Sequence, residues 1–250
     1  MNDRAIVGEG TAESDWADWL NRQHLPRLAV PELFAKYRRL VVVAPHPDDE
    51  ILACGGLLAL AALANFPVLV VAVTDREASH GPADHYQRAR LGKLRAQERC
   101  AGLLQLGIEP ACVVRLEISD GTVAQNTAEL VTQLDRLLKP GDLVVTTWFE
   151  DGHPDHEATA NAVCRTDCQL LQAPVWMWHW ATPAGARIPW AKLAAIELSD
   201  SVVQAKQNAL AKHHSQIASC SSRPEPVLMP SIIKRTARRH EYFFLGDNTV

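Results

Sequence analysis

The sequence predicts an α/β protein: a single Rossmann-like domain with a mostly parallel sheet flanked by helices. Three observations predict it. Five apolar, β-branched-rich runs read as strands, at residues 40–44, 68–73, 112–116, 143–147 and 174–179. Longer helix-like stretches separate them, at 50–65, 86–106, 127–138 and 155–167, with one more over 201–214. Runs 40–44 and 143–147 are continuously apolar rather than alternating, as strands covered on both faces are.

In chain order, residues 1–39 read as an N-terminal helical arm holding Trp16, Trp19 and Leu20, and residues 40–250 as the domain. The first strand runs into Pro45-His46-Pro47, where two prolines stiffen the turn, and Asp48, Asp49 and Glu50 open the next helix. Free N–H groups and the helix dipole favour acids there, so a plain acidic cap also explains them. That helix is apolar nearly all round, and Gly55-Gly56 inside it costs about 1 kcal/mol per glycine relative to alanine. Two adjacent glycines therefore point to close backbone packing. Thr74-Asp75-Arg76-Glu77 follows the second strand and Asp120-Gly121 the third, with turn punctuation at 107–110 and 139–142. Trp148 through His156 follows the fourth strand, and Pro154 suits the first position of the helix that comes next.

Composition narrows the function classes. The chain of 250 residues is 47% hydrophobic and 22% charged, enough to bury a core without disulfide staples. A formal net charge of -4 carries no footprint for nucleic acid or an anionic membrane surface. Lys234-Arg235 with Arg238-Arg239 reads as a solvated face. The six cysteines form no CxxC pair and read as small buried hydrophobes in a reducing compartment. Acids break the first 28 residues, and the longest apolar run, 55–64, is too short to span a bilayer. The expectation is a cytoplasmic protein without membrane insertion. Oligomeric state has no sequence signal.

In open parallel sheets, ligands collect beyond the carboxyl ends of the strands. Four strand ends here carry acid, imidazole or guanidinium. His153 and His156 lie three apart at a helix start, close enough to face one centre. Combined with the His46–Glu50 turn, they supply two imidazoles plus a carboxylate with an open position, the ligand set of a catalytic zinc site. The same set serves non-haem Fe(II) oxygenases, although a spare carboxylate, Asp48, and a spare histidine, His153, suit metal-assisted hydrolysis better.

The chain resembles the LmbE/PIG-L-like family of metal-dependent de-N-acetylases. Pro45-His46-Pro47-Asp48-Asp49-Glu50 and His153-Pro154-Asp155-His156 stand where the two hallmarks of that family do, supported by Arg95-Ala96-Gln97-Glu98 and Asp120-Gly121. The resemblance implies that His46, Asp49 and His156 hold the metal, Zn2+ or another divalent ion such as Fe2+. It implies that Asp48 is the base acting on water held by the metal. His153 would be the acid that stabilises the oxyanion and protonates the departing amine, oriented and raised in pKa by Asp155. The implied substrate is a small N-acetylated amino sugar or glycoconjugate, with acetate as one product; an amide of a thiol-sugar conjugate would use the same centre, and a vestigial sugar-binding module is the non-catalytic rival. Arg76 replaces a glycine of the family pattern TDGE, and reads either as a substrate contact or as an exposed loop residue. Asp120 matches a sugar-contacting aspartate, and Trp148 reads as packing over the metal or as structural. Trp176, Trp178 and Trp180, at period two, would share one strand face, either core or a sugar-stacking wall. Arg95 and Glu98 fit an exposed ion pair equally well. His80, His85, His213, His214 and His240 read as ordinary surface or satisfied histidines.

Overall fold

A computed structural model describes residues 4–77, 85–218 and 226–246. Its sheet has seven strands: β1 (Arg39–Ala44), β2 (Val68–Ala72), β3 (Val113–Arg115), β4 (Asp142–Thr147), β5 (Gln169–Ala173), β6 (Leu193–Glu197) and β7 (His240–Leu245). The order is β3-β2-β1-β4-β5-β7-β6. β3 through β5 run parallel, while β7 pairs antiparallel with both β5 and β6. The helices are α1 (Glu13–Leu20), α2 (Val30–Lys36), α3 (Asp49–Leu63), α4 (His85–Gln105), α5 (Thr127–Leu137), α6 (Pro154–Val163), α7 (Met177–Trp180), α8 (Asp200–Leu210), α9 (His214–Ile217) and α10 (Pro230–Lys234). Among the described residues, no helix is long and apolar enough to cross a membrane.

The pleat of β1 shows why its residues are all apolar. Leu40 and Val42 join one core with Ile51, Leu57 and Leu58 of α3 and Leu103 of α4, while Val41 and Val43 join the other with Leu130 and Leu134 of α5. From β1 the chain winds outward through β2 to β3, then returns through α5 to place β4 on the opposite side of β1. The strand order therefore reverses between β1 and β4, and a crevice opens at their carboxyl ends. His46 and the 148–156 segment follow those two strands.

α3 is broken at Cys54, whose φ of -151° and ψ of 31° lie outside the helical region. The freed N–H groups of Gly56 and Leu57 donate to the two Glu241 oxygens at 2.6 and 2.8 Å, and Lys206 Nζ closes the pair at 2.6 Å. A Cβ on Gly56 would meet Leu198 Cδ1 at 2.6 Å, which is the close approach the paired glycines announced.

Three differences from the predicted elements have physical causes. Residues 174–179 are not a strand. The ladder stops at Ala173, and the N–H groups of Val175, Trp176 and Met177 all donate to the Asp151 carboxylate, which starts α7 instead. The strand sits just earlier, at β5, where two glutamines diluted its apolar signal; α6 accordingly ends at Val163, before the predicted 167. β6 and β7 went unpredicted, β6 because three of its five residues are alanine or glutamate, poor strand formers.

The tryptophan stripe is consequently not a strand face. Trp178 packs edge-on against Trp16 of α1 at 4.9 Å, and Trp19 lies 4.4 Å from Trp190, so the aromatic run docks the N-terminal helices. The basic run is a solvated face only in part: Lys234 and Arg239 are exposed, but the other two are not. Arg235 is buried, and Arg238 grips Glu13 through two 2.7 Å hydrogen bonds while lying 4.3 Å over the Trp178 ring.

Candidate metal centre and active site

β1 and α3 deliver His46 and Asp49 to the crevice, and the N-terminus of α6 delivers His156. His46 Nδ1, Asp49 Oδ2 and His156 Nε2 form a nearly equilateral triangle with edges of 3.1, 3.1 and 3.2 Å. Three electronegative atoms this close repel one another unless a proton or cation lies among them. A tetrahedral ion with bonds near 2.0–2.1 Å spaces its ligands about 3.3 Å apart. The donor set fits such an ion.

The remaining nitrogen of each ring is held by carboxylate. His156 Nδ1 lies 2.8 Å from Asp151 Oδ2, and His46 Nε2 lies 3.3 Å from Asp155 Oδ2 and 3.4 Å from Asp120 Oδ1. Carboxylate–histidine pairs of this kind fix the ring and the tautomer of a metal ligand. Asp48 stands beside the triangle with φ 123°, a left-handed conformation rare outside glycine. Its Oδ2 accepts from Arg76 Nη1 at 3.2 Å, whereas Oδ1 is buried with no hydrogen-bond partner. The His153 ring sits 4.8 Å from both His46 and His156, centroid to centroid. Residues 41–166 match the PIG-L family, described as GlcNAc-PI de-N-acetylase.

The chain belongs to the PIG-L family. A probable N-acetyl-alpha-D-glucosaminyl L-malate deacetylase 2 of Bacillus subtilis (strain 168) is 31% identical over 134 residues, which cover 50% of this chain and 59% of that relative. Two solved structures share the fold: a conserved protein of Thermus thermophilus, 21% identical at TM-score 0.60 over 84% of this chain and 95% of that one, and the N,N'-diacetylchitobiose deacetylase of Pyrococcus horikoshii, 15% identical at TM-score 0.56 over 94% and 93%.

In this PIG-L chain the charges are organised for a positive centre. Burial alone would lower His46, yet hydrogen bonds to Asp120, Asp155 and Asp49 raise it to about 10. His156 is raised likewise against its burial, by Asp49 and Asp151. Asp49 is held well below the usual carboxylate range by the two imidazoles, which overcome its burial. Unless a cation is bound, the rings themselves must carry the charge. Asp48 goes the other way. Burial lifts it to about 7, partly offset by the Arg76 guanidinium.

Two expectations for this segment change. Asp155 does not pair with the His153 side chain: its carboxylate accepts from Gly121 N–H at 2.8 Å and Val123 N–H at 3.3 Å and faces His46. Only its backbone N–H reaches His153, at Nδ1, 3.3 Å away. His153 is not raised in pKa. Burial and the positive His46, His156 and Arg76 groups push it well down.

The substrate candidates separate. Asp120 stands at the rim, a tenth exposed, with its N–H on Glu77 Oε1 at 3.0 Å. Arg76 is neither exposed nor free. It keeps the left-handed backbone that a glycine would have, φ 52°, a conformation costing roughly 1 kcal/mol. Its Nη1 is shared between Asp48 Oδ2 and Gln216 Oε1 at 3.3 Å. Trp148 is fully buried, packed on Phe244 at 4.6 Å and stacked on Trp180, so it is core rather than a wall of the site.

Several supporting residues escaped sequence reasoning. Asp151 drew no role there, although an acid two residues before a histidine was the available signal. Gln216 came with no signal, since α9 meets the His46 turn only in three dimensions; its Nε2 donates to Pro47 O. Arg95 and Glu98 are buried, not an exposed pair: Arg95 donates to Arg76 O, and both hold Ser215 beside Gln216. His80 lies outside the described residues. His213 is buried with neither ring nitrogen bonded, 3.9 Å from Glu50, which in turn accepts the Asp48 N–H at 3.3 Å.

Two predictions arise here. Asp151→Asn preserves shape but not charge, and is expected to weaken metal affinity 10- to 100-fold, as outer-shell partners do. Competition against a fluorescent chelator measures this; unchanged affinity would remove Asp151 from the centre. For His213, burial and the Arg99 charge lower the pKa from 6.5 to about 4. Between those values the unfolded chain binds the proton and the folded chain refuses it, so stability is lost as pH falls from 6.5 to 4. The loss is on the order of 3 kcal/mol. Urea unfolding of wild type and His213→Gln at pH 7 and 4.5 tests it, and equal pH slopes would contradict it.

Proposed function

We propose that this protein is a metal-dependent hydrolase that removes the acetyl group from an N-acetylated amino sugar or amino-sugar conjugate, releasing acetate. The observation that carries this reading is the donor triangle flanked by a strained, buried carboxylate with a free oxygen. His46, Asp49 and His156 would hold the ion. Zinc is the ion favoured by two imidazoles and a carboxylate with an open position, with iron(II) the competitor for the same set. When bound, such an ion polarises an amide carbonyl and makes a water acidic near neutral pH.

The chain's own groups do the rest. Asp48 Oδ1, unpartnered and poised near neutrality by burial, takes the proton from the attacking water. Arg76 holds Oδ2, so the carboxylate presents one oxygen only; it is a positioning residue rather than a substrate contact. Because His153 Nδ1 accepts from a backbone N–H, the neutral ring carries its proton on Nε2. That N–H donates to the oxygen that becomes negative as the carbonyl carbon turns tetrahedral. Protonated Asp48 is then the group able to return a proton to the departing nitrogen. Asp155 and Asp120 align His46, and Asp120 at the rim can accept a sugar hydroxyl. The family and the glucosaminyl substrate named for the Bacillus subtilis relative support the sugar class.

Incubating the metal-loaded chain with a panel of N-acetylated amino sugars and thiol-sugar amides tests the reading. One acetate per free amine is expected from at least one amino sugar, with no oxygen consumed. A folded chain with one metal bound that releases only amines from thiol-sugar amides, or consumes oxygen, would overturn it.

A further inference from the structure

A second polar cavity lies away from the metal triangle, between β7, α8 and the segment that follows α10. Its volume is about 40 Å³. Val175, Trp178, Lys206, Arg235, Arg238 and Glu241 supply the part of the wall that matters. Lys206 is satisfied by Glu241 and by Leu52 O, and Arg238 by the two Glu13 oxygens. Arg235 is not satisfied. Its Nη2 donates to Trp178 O at 3.1 Å, but Nε and Nη1 are buried without a hydrogen-bond partner. The nearest carboxylate, Glu13 Oε2, stands 4.0 Å from Nε and already serves Arg238.

We propose that this cavity binds a small planar monoanion of the formate or acetate class, held by Arg235. Lys206 and Arg238 are each hydrogen-bonded to a carboxylate, Glu241 and Glu13, whereas Asp151 acts on Arg235 electrostatically and gives it no hydrogen bond. A buried charged donor with no acceptor is costly, so an acceptor in the cavity is favoured. Burial lowers the guanidinium to about 10, which leaves it charged at neutral pH. The cavity is small, which favours an anion of few heavy atoms over a larger one. Acetate would come from the chain's own proposed reaction and formate from elsewhere, and the site stands on geometry whichever supplies it.

Titration calorimetry of the full-length chain with acetate, formate and sulfate, at fixed ionic strength, tests this. Acetate and formate are each expected to fill a saturable site that Arg235→Gln weakens at least tenfold and Arg235→Lys weakens less, with sulfate binding more weakly than either. Acetate bound at the metal centre is separable, because it persists in Arg235→Gln. If the glutamine variant does not fold, wild-type crystals grown with and without acetate decide: planar density against Arg235 supports the site. Water alone in that density, or equal binding by wild type and Arg235→Gln, overturns it. Tighter acetate than formate binding would assign the site to the product, and the reverse to another carboxylate.

Discussion

Asp48→Asn is expected to lower kcat by about 10²- to 10⁴-fold, the span that a positioned base contributes, while metal content stays at that of the wild type. The argument begins with the backbone. A φ of 123° at an aspartate persists only where its surroundings impose it. Here the N–H of Asp48 donates to Glu50, its carbonyl accepts from Ile51 and Leu52, and its carboxylate is anchored by Arg76. Together these aim one free oxygen beside the donor triangle. An amide has the same shape and can still accept from Arg76, so the fold and the three donor atoms are spared; what disappears is the ability to take a proton. Activity assays paired with metal analysis separate the outcomes. Near-full turnover with metal bound would remove Asp48 from the base role, and loss of the metal would make it a ligand instead.

The parts of this protein legible in the sequence share one property: their information is local. β1, β2 and β4 are runs of apolar residues covered on both faces, and the two histidine segments lie at strand ends, so periodicity plus position located both. What stayed hidden depends on distant partners. Asp151 converts an apparent tryptophan strand into α7 by capturing three N–H groups some two dozen residues downstream. Arg76 read as either a substrate contact or an exposed loop residue, because Gln216, which shares its guanidinium with Asp48, lies far along the chain. Arg235 and Arg238 looked solvated because Glu13 and Trp178, their partners, lie some 225 and 60 residues earlier in the chain. Asp155 is the instructive case, since it neighbours His153 in sequence yet serves His46 across the crevice.

His156→Ala is expected to abolish metal binding and turnover together, whereas His153→Ala keeps the metal and loses about 10²–10³ in kcat, the worth of one donor to a developing oxyanion. The two residues share one turn of α6's start but differ in what their rings touch. His156 is gripped on both nitrogens, by Asp151 at Nδ1 and by the triangle at Nε2, so its removal deletes one of three donors and leaves Asp49 and His46 with a gap. Its loss should therefore exceed the 10- to 100-fold expected for the outer partner Asp151. His153 has one nitrogen on a backbone N–H and the other unclaimed by the triangle, so deleting it leaves the three donor atoms 3.1–3.2 Å apart. Bound metal per folded chain, measured beside acetate release, gives the contrast. If His153→Ala also empties the site, the ion is held by His46, His153 and His156, three rings that lie close enough to do so, and Asp49 must be reassigned.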